Sequence, residues 1–398
     1  MSAHVGVVWD DALSGYDLGP SHPLAPMRAQ LAMRLSHEFG LFSHVNVELL
    51  DEVEPVEREL LERVHTGDYI DAVIAASDDL DTIDLAHGLG TPDVPVFPDM
   101  HRESARVVGA TLRGVRAVHS GEFEHVVSLS GGHHHALPGA AEGFCVYNDL
   151  GVSIQWLLDA GYERIAYLDL DVHHGDGVQA MFWDDPRVVT ISLHESPRTL
   201  FPGSGYPTEI GGPNAEGSAI NVALPAGTGD QGWLRAFSAV VPDILEVFQP
   251  QILVTQQGAD AHLLDPLAHL TMSIDGQRMS YELVHRWAHQ YADGKWLAVG
   301  GGGYACPEVV PRAWTHLIAE ITGHPIDPGA MVPQAYCAFV DSALHRPSPE
   351  RMTDGQTPWA RPFEFGFDPE DPVDQAILAT RKAVYPFWGL VTEPVDWF

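Results

Sequence analysis

The segment DLDVHHGDG, residues 169–177, brings together side chains that commonly bind a metal ion. If a β-strand continues through it, side-chain alternation places Asp169, Asp171 and His173 on one face and apolar residues on the other. Burial of two carboxylates and an imidazole is costly unless they are paired, protonated or bound to a cation. One histidine with carboxylates suits a divalent ion such as zinc. The motif therefore indicates a metal site and leaves the reaction open.

Three consecutive histidines, His133–His135, follow two glycines and a strand-like apolar run. A histidine that acts as a general base or acid usually donates its second ring N–H to a carboxylate, which fixes the tautomer and tunes the pKa. Once Asp171 is assigned to the metal, Asp169 and Asp176 are the acids available for this purpose. A lone histidine is more simply a core or surface residue, whereas this triplet indicates acid–base chemistry.

Two further sets of polar groups also follow predicted strands. Asp260 lies in QGADAH after one strand, and Tyr304 ends GGGGY after another. Ligands bind beyond the carboxyl ends of the strands in an open parallel sheet, so the four sets indicate one site. The glycines allow close approach of the backbone, and the tyrosine hydroxyl can stabilise a developing oxyanion. GGGGY lacks the lysine and the spacing of a phosphate-binding loop, so nucleotide binding is not favoured.

The elements that must position these groups are short apolar runs separated by longer segments of helical period. This alternation predicts an α/β fold, with a mostly parallel sheet and helices on both faces. Strands are predicted at His4–Trp9, His125–Ser130, Arg164–Asp171, Arg187–Leu193, Ala219–Leu224, Gln251–Gln256 and Lys295–Gly300. Helices are predicted at Pro23–Phe39, Asp99–His119, Asn148–Ala160, Asp230–Phe248, Gln277–Tyr291 and Pro307–Ile321.

The domain organisation follows from a change of composition near Gly323, after which the chain becomes rich in proline and acid. We predict a catalytic domain over residues 1–325 and an appendage over residues 326–398 that packs on it. The reason is that the appendage would otherwise expose a large aromatic surface. The aromatic residues concerned are Trp359, Phe363, Phe365, Phe387 and Trp388.

The charge balance restricts the possible partners. Against 55 acidic residues the chain has 21 basic ones, a formal net charge of −34. Nucleic-acid binding is not expected, because phosphates need a basic face, whereas a basic partner or a salty cytoplasm would suit this charge. No apolar run is long enough to span a membrane, and the N-terminus lacks the pattern of a secretion signal. Three cysteines without a CxxC pair suit a reducing compartment, so we expect a cytoplasmic protein.

Taken together, the motifs resemble one known family. GGHHHA, GFCVYND, DLDVHHGDG, SLHE with FPGSG, GADAHLLDPL and GGGGY occur in the order and spacing of the zinc-dependent histone deacetylase superfamily. The resemblance covers roughly residues 1–320, and HPLAPMR and YPFWGL are most similar to its bacterial acetoin-utilization (AcuC-like) branch. It implies an arginase/deacetylase-type three-layer fold around an eight-stranded, mostly parallel sheet. It also implies metal-dependent hydrolysis of N-acetyl-lysine in proteins, with release of acetate.

The same resemblance implies a role for individual residues. Asp171, His173 and Asp260 match the zinc ligands, for which iron(II) is an alternative ion. The tandem histidines of the family match His134 and His135, with Asp169 and Asp176 as partners, and its carbonyl-polarising tyrosine matches Tyr304. The substrate tunnel would comprise Asp93, Gly143, Phe144, Phe201 and Leu267, and Arg28 would lie in an inner acetate channel. A structural potassium ion would use Asp169, Asp171, His173, Ser192 and Leu193.

Three alternative functions stay open. An arginase-type dinuclear manganese enzyme would need a second set of Asp and His ligands, which looks incomplete around His174 and His262. Hydrolysis of acetylpolyamines would need an acidic gatekeeper where this chain has Leu267, although the net charge would attract polyamines. A catalytically inactive binding or scaffold protein would not need the complete machinery. We therefore expect an acetylated protein as substrate, with acetyl-CoA synthetase as the client suggested by the branch.

Overall fold

Eight parallel strands form the centre of the computed structural model, which describes residues 3–393. All neighbouring strands pair in parallel, in the order β2-β1-β3-β8-β7-β4-β5-β6. The predicted eight-stranded sheet is therefore confirmed. The strands are β1 Val5–Val8, β2 Val47–Leu50, β3 His125–Ser128, β4 Ile165–Asp169, β5 Val188–Glu195, β6 Ala219–Leu224, β7 Ile252–Gln256 and β8 Trp296–Val299.

Seven of these strands lie within or overlap the predicted apolar runs, and β2 is the one that the sequence pattern did not reveal. Its sequence, VELL, lies at the edge of the sheet, where Glu48 and Leu49 are exposed. Only a strand that is covered on both faces has to be apolar throughout, so an edge strand of four residues carries a weak signal.

Helices cover both faces of the sheet. They are α1 Met27–Glu38, α2 Arg58–Leu61, α3 Gly67–Asp78, α4 Met100–Ser120, α5 Asp149–Asp159, α6 Asp176–Met181, α7 Asp230–Phe248, α8 Ile274–Tyr291, α9 Val310–Ile321, α10 Gln334–Leu344 and α11 Pro372–Trp388. The described residues also form 3₁₀ helices at Asp11–Gly15, Leu41–Ser43 and Phe363–Phe365. Within residues 3–393, no helix combines the length and apolar character that crossing a bilayer requires.

Alternate strand residues separate the core into two layers. Val127 of β3 packs in the cluster that contains α7, α8 and α9, whereas Val126 packs in the cluster that contains α3, α4 and α5. In β4, Leu168 and Tyr167 are divided in the same way. This is the three-layer arrangement expected when both faces of a parallel sheet are covered by helices.

The described part of the segment 326–398 packs on the rest of the chain. Ile377 and Tyr385 of α11 are buried in the same cluster as α7, and Arg235 of α7 forms a buried ion pair with Asp374, at 2.5 Å. Removing one partner of such a pair would leave a buried charge uncompensated. The boundary at residue 325 stays a prediction, and the terminal residues 1–2 and 394–398 lie outside the described part.

The aromatic residues of this segment are less buried than expected. Phe363 is buried and Trp388 is partly buried, but Trp359, Phe365 and Phe387 are 62%, 76% and 48% exposed. The expectation that packing would cover all five was therefore wrong. The apolar face of α11 and the buried Arg235–Asp374 pair hold the segment without them.

Candidate active site

The four motifs lie at one edge of the sheet because the strands before them are neighbours. Those strands are β3, β8, β7 and β4, which are consecutive in the sheet. His133–His135 follow β3, the glycine-rich GGGGY follows β8, Asp260 follows β7, and DVHHGDG follows β4. Parallel strands present their carboxyl ends together, so side chains separated by up to 171 residues in the chain, from His133 to Tyr304, converge.

Asp171, His173 and Asp260 form a buried cluster of potential metal ligands. Each offers one ligand atom within 4.8 Å of the others. His173 Nδ1 lies 3.0 Å from Asp171 Oδ1 and 3.2 Å from Asp260 Oδ2. Gln256 and the backbone N–H of Gly302 donate hydrogen bonds to Asp171 Oδ2 at 2.6 and 2.8 Å. These contacts fix the direction of the Asp171 carboxylate.

The charges of this cluster fit a divalent cation. Burial and the neighbouring Asp171 raise the pKa of Asp260 to about 7, because two carboxylates share a dry site with one imidazole. A cation held by both carboxylates would compensate this excess of negative charge. The backbone also leaves room beside the ligands, since a Cβ at Gly302 would overlap Asp260 Oδ2. Two carboxylates and one histidine suit zinc and iron(II) alike.

The tandem histidines have separate carboxylate partners. His134 Nδ1 lies 2.7 Å from Asp169 Oδ2, and His135 Nδ1 lies 2.7 Å from Asp176 Oδ1. Both rings are buried, with centroids 4.0 Å apart. This leaves the Nε2 atom of each ring for other chemistry. Burial lowers the pKa of His134, but the carboxylates beside it outweigh burial and raise it to about 9.

The environment of His135 lowers its pKa, whereas that of His134 raises the pKa of His134. Burial and the neighbouring His134 ring lower the pKa of His135, against the effect of Asp176. Two adjacent imidazoles are thus tuned differently by their surroundings, which is the arrangement that separates a base from an acid.

Asp169 connects the histidines to the residues expected around potassium. Its Oδ2 atom accepts from Tyr167 at 2.6 Å as well as facing His134, and Asp169 is the register partner of Ser192 across β4 and β5. Among the described residues, the carbonyl oxygens of Asp171 and His173 accept no hydrogen bond. Buried oxygen atoms without donors fit a hard monovalent cation. Leu193 is buried in β5 next to Ser192, whose Oγ lies 2.8 Å from His194 Nδ1.

Two phenylalanines border the approach to this cluster. The Phe201 ring lies 5.0 Å from His135 and is 41% exposed, so it faces both solvent and the histidines. The Phe144 ring lies 5.6 Å from the Tyr304 ring. Asp93 accepts a hydrogen bond from the backbone N–H of Gly143 at 2.8 Å, which ties it to the same loop as Phe144.

Asp265 is a positioning residue that the sequence analysis did not assign. Its two carboxylate oxygens accept from the backbone N–H groups of Leu267, at 3.0 Å, and of Tyr304, at 2.8 Å. It therefore connects the loop after β7 to the glycine-rich loop after β8. Asp265 lies within the quoted motif GADAHLLDPL, and its bond to Leu267, two residues further on, is local, but nothing in the sequence indicates its bond to Tyr304.

A buried acid and amide fix the histidine triplet. Asp149, at the start of α5, accepts from the backbone N–H groups of Gly132 and His133. Asn148 caps α5 and donates to the carbonyl oxygens of His134 and Ala136, at 3.2 and 3.0 Å. The sequence analysis predicted a helix that begins at Asn148, whereas it did not predict the contacts of this residue with the triplet.

Arg28 lies behind the site rather than at its entrance. It is buried, and its Nη1 donates to the carbonyl oxygens of Gly301 and Gly303 at 3.0 and 2.8 Å. Its Nε is buried without a hydrogen-bond partner among the described residues. A cavity of about 40 Å³ is lined by Arg28, Tyr16 and His133. This volume holds a few small molecules the size of water.

We expect Gly143→Ala to reduce activity at least about 100-fold, because the catalytic geometry tolerates little displacement. Gly143 has φ = +54°, and a Cβ there would lie 2.6 Å from Cγ of the His135 ring. The new methyl group must push the imidazole away from Asp176 or distort the loop that holds Phe144. Steady-state kinetics with metal analysis would check this. Gly139→Ala is the control, because a Cβ there has its nearest contact at 3.7 Å; equal kinetics for the two variants would contradict the role of Gly143.

The part of the chain that contains this site is similar in sequence to one known protein family. The histone deacetylase domain profile matches residues 22–321, which include every residue of the site from Arg28 to Tyr304. The chain belongs to the histone deacetylase family. The family match ends where α9 ends, so α10 and α11 lie outside it.

Similar proteins within the family support the placement of this chain near the acetoin-utilization (AcuC) proteins. The acetoin utilization protein AcuC of Bacillus subtilis (strain 168) is 40% identical over 330 residues, covering 82% of this chain and 84% of that protein. AcuC of Staphylococcus xylosus is 34% identical over 335 residues, covering 83% and 86%. The crystal structure of a histone deacetylase homologue complexed with SAHA superposes with a TM-score of 0.80 and 26% identity, covering 94% of this chain and 99% of that one. The arginase/deacetylase-type fold is thereby confirmed.

Proposed function

We propose that the protein hydrolyses the amide bond of N-acetyl-lysine in proteins and releases acetate. The observation that carries this proposal is the pair of buried histidines, each with its own aspartate, beside a three-ligand cluster at the sheet edge. Such a pair can take a proton from water and give a proton to the departing amine. A bound divalent ion would polarise the amide carbonyl and lower the pKa of a water molecule.

The side chains around the cluster have separable tasks in this reaction. Tyr304 donates a hydrogen bond from its hydroxyl to the carbonyl oxygen as negative charge develops there. Burial raises the pKa of Tyr304 well above its ordinary value, so the hydroxyl keeps its proton. Asp169 and Asp176 orient the imidazoles, and Asp265 holds the backbone of Tyr304 in place.

The approach and the exit suit a neutral acyl chain and a small anion. Phe144 and Phe201 would supply apolar surface for the alkyl part of acetyl-lysine, and the half-exposed position of Phe201 supports an entrance on its solvent side. Behind the site, the buried guanidinium of Arg28 and the cavity beside it offer a cationic route for acetate. Because AcuC proteins are its relatives, we include acetylated acetyl-CoA synthetase as the proposed physiological substrate.

Acetylpolyamine hydrolysis is the second candidate, favoured by one observation. Glu142 is half-buried beside Gly143, and burial together with the charges of Asp176 and Asp93 raises its pKa to about 6. These acids, with the net charge of −34, would attract a cationic amine. An arginase-type reaction is not supported, because the ligand cluster at this edge of the described structure has three residues only.

The activity can be tested with protein that is stripped by a chelator and reloaded with zinc or iron(II). A panel of acetyl-lysine peptides and acetylspermidine would be assayed for acetate release. We expect metal-dependent turnover with higher kcat/KM for the peptides. Higher kcat/KM for acetylspermidine would favour the second candidate. No turnover of any substrate by fully loaded protein would contradict both.

Leu267→Glu should shift the preference toward acetylpolyamines by about tenfold or more, because it adds a carboxylate to the loop that Asp265 fixes to Tyr304. The measurement is the ratio of kcat/KM for acetylspermidine to that for an acetyl-lysine peptide. Leu264→Glu is the control, since Leu264 is exposed in the same loop. If both variants keep the wild-type ratio, Leu267 does not control substrate choice.

A further inference from the structure

Three histidines meet near the amino ends of the strands, at the opposite end of the sheet from the active site. His125 is the first residue of β3, and His285 and His289 lie one turn apart near the end of α8. Their Nε2 atoms form a triangle with all three sides at 3.2 Å. The amino ends of the strands are at this end of the sheet, so the triangle is separate from Asp171, His173 and Asp260.

Hydrogen bonding among the imidazoles cannot account for this triangle. Each Nε2 carries either a proton or a lone pair, and a hydrogen bond needs one nitrogen of each kind. With three nitrogens and two kinds, at least one of the three pairs must be two donors or two lone pairs. Such a pair at 3.2 Å is repulsive. A cation that accepts all three lone pairs removes this conflict.

The dimensions of the triangle match a zinc-like ion. Zinc binds histidine nitrogen at about 2.0–2.1 Å, which at tetrahedral angles separates the ligand nitrogens by about 3.3–3.4 Å. The observed 3.2 Å is close to this separation. Three imidazoles without a carboxylate select a borderline transition metal over magnesium, calcium or potassium, which prefer oxygen. We propose that His125, His285 and His289 form a second metal site for zinc or a related divalent transition ion.

The surroundings leave one coordination position open, and a bound ion would hold two elements of the fold together. His125 is fully buried, His285 is partly buried, and His289 is exposed, so the fourth position is on the solvent side. Trp296 of β8 packs 5.7 Å from both His125 and His285, which restricts these two rings. A bound ion would connect β3 to α8, across 160 residues of chain between His125 and His285. Because it would bind the folded chain only, the ion would stabilise the native state.

Zinc stoichiometry tests the proposal independently of the deacetylase reaction. The full chain would be stripped with a chelator, dialysed against a small excess of Zn²⁺ and analysed by mass spectrometry for bound metal. We expect two zinc ions per chain in the wild type and one in His285→Ala and in His289→Ala. His37→Ala should keep two, because His37 is an exposed helical histidine outside the triangle.

The Asp260→Ala variant separates this site from the catalytic one. It should keep one zinc ion, and zinc should raise its Tm by a few degrees, a shift that is absent when His285→Ala is added. Circular dichroism of the metal-free variants checks the fold. Equal zinc content in the wild type, His285→Ala and His289→Ala would overturn the second site, whatever the deacetylase assay gives. If the wild type binds the second zinc ion but shows no deacetylase activity, that result would contradict the proposed function and leave the second metal site standing.

Discussion

Asp260→Ala is expected to lose one bound divalent ion per chain and to reduce deacetylation to background. Asp260 is fully buried, lies 3.2 Å from His173 Nδ1 and supplies one of three ligands at the active-site edge. A site reduced to Asp171 and His173 has too few protein ligands for a tightly held ion. Removing Asp260 relieves its repulsion with Asp171 but leaves the buried backbone N–H of Val172 without its acceptor, so the stability of the metal-free variant has to be measured as well.

Metal content, acetate release and the metal-free Tm would be measured on the same preparations. The chain also offers a matched pair of neighbouring histidines. His173→Ala should behave as Asp260→Ala does, whereas His174→Ala should keep the ion, because His174 bonds to Ser204 and Gln179 instead. A metal content equal to that of the wild type in Asp171→Ala, His173→Ala and Asp260→Ala alike would refute the ligand assignment.

Tyr304→Phe is expected to lower kcat and kcat/KM together by about 10²–10³-fold, with the metal content unchanged. The substitution deletes one hydroxyl and keeps the ring, which contacts Phe144 and the Arg28 guanidinium. The Asp265 bond to the Tyr304 backbone N–H is also kept, so the loop should not move. A donor that acts mainly on developing charge affects the transition state far more than substrate binding, so KM should change little.

The alternative role for Tyr304 is packing against the glycine-rich turn, and the Phe variant distinguishes the two. Steady-state kinetics on the best acetyl-lysine peptide would be compared with those of Tyr206→Phe. Tyr206 is 38% exposed and lies a few residues after Phe201, so its hydroxyl should be dispensable. A fall of less than about tenfold in kcat/KM for Tyr304→Phe, with the metal in place, would contradict the oxyanion role.

The sequence by itself determined the fold class and indicated which polar side chains would converge at the carboxyl ends of the strands. Strands covered on both faces must be apolar throughout, so seven of the eight strands were readable from local composition. Motifs such as DLDVHHGDG and GGHHHA follow these strands directly, and parallel strands present their carboxyl ends together. The convergence of Asp171, His173 and Asp260 was therefore predictable before any distance was known.

Only the tertiary structure decided the features that depend on long-range packing. The order of strands places β3, β8, β7 and β4 side by side, and no local pattern encodes that order. The bond from Asp265 to the backbone N–H of Tyr304 depends on where that group points after two loops have packed. The triangle of His125, His285 and His289 was not predicted for the same reason. The sequence around a histidine does not indicate which distant element its imidazole will contact.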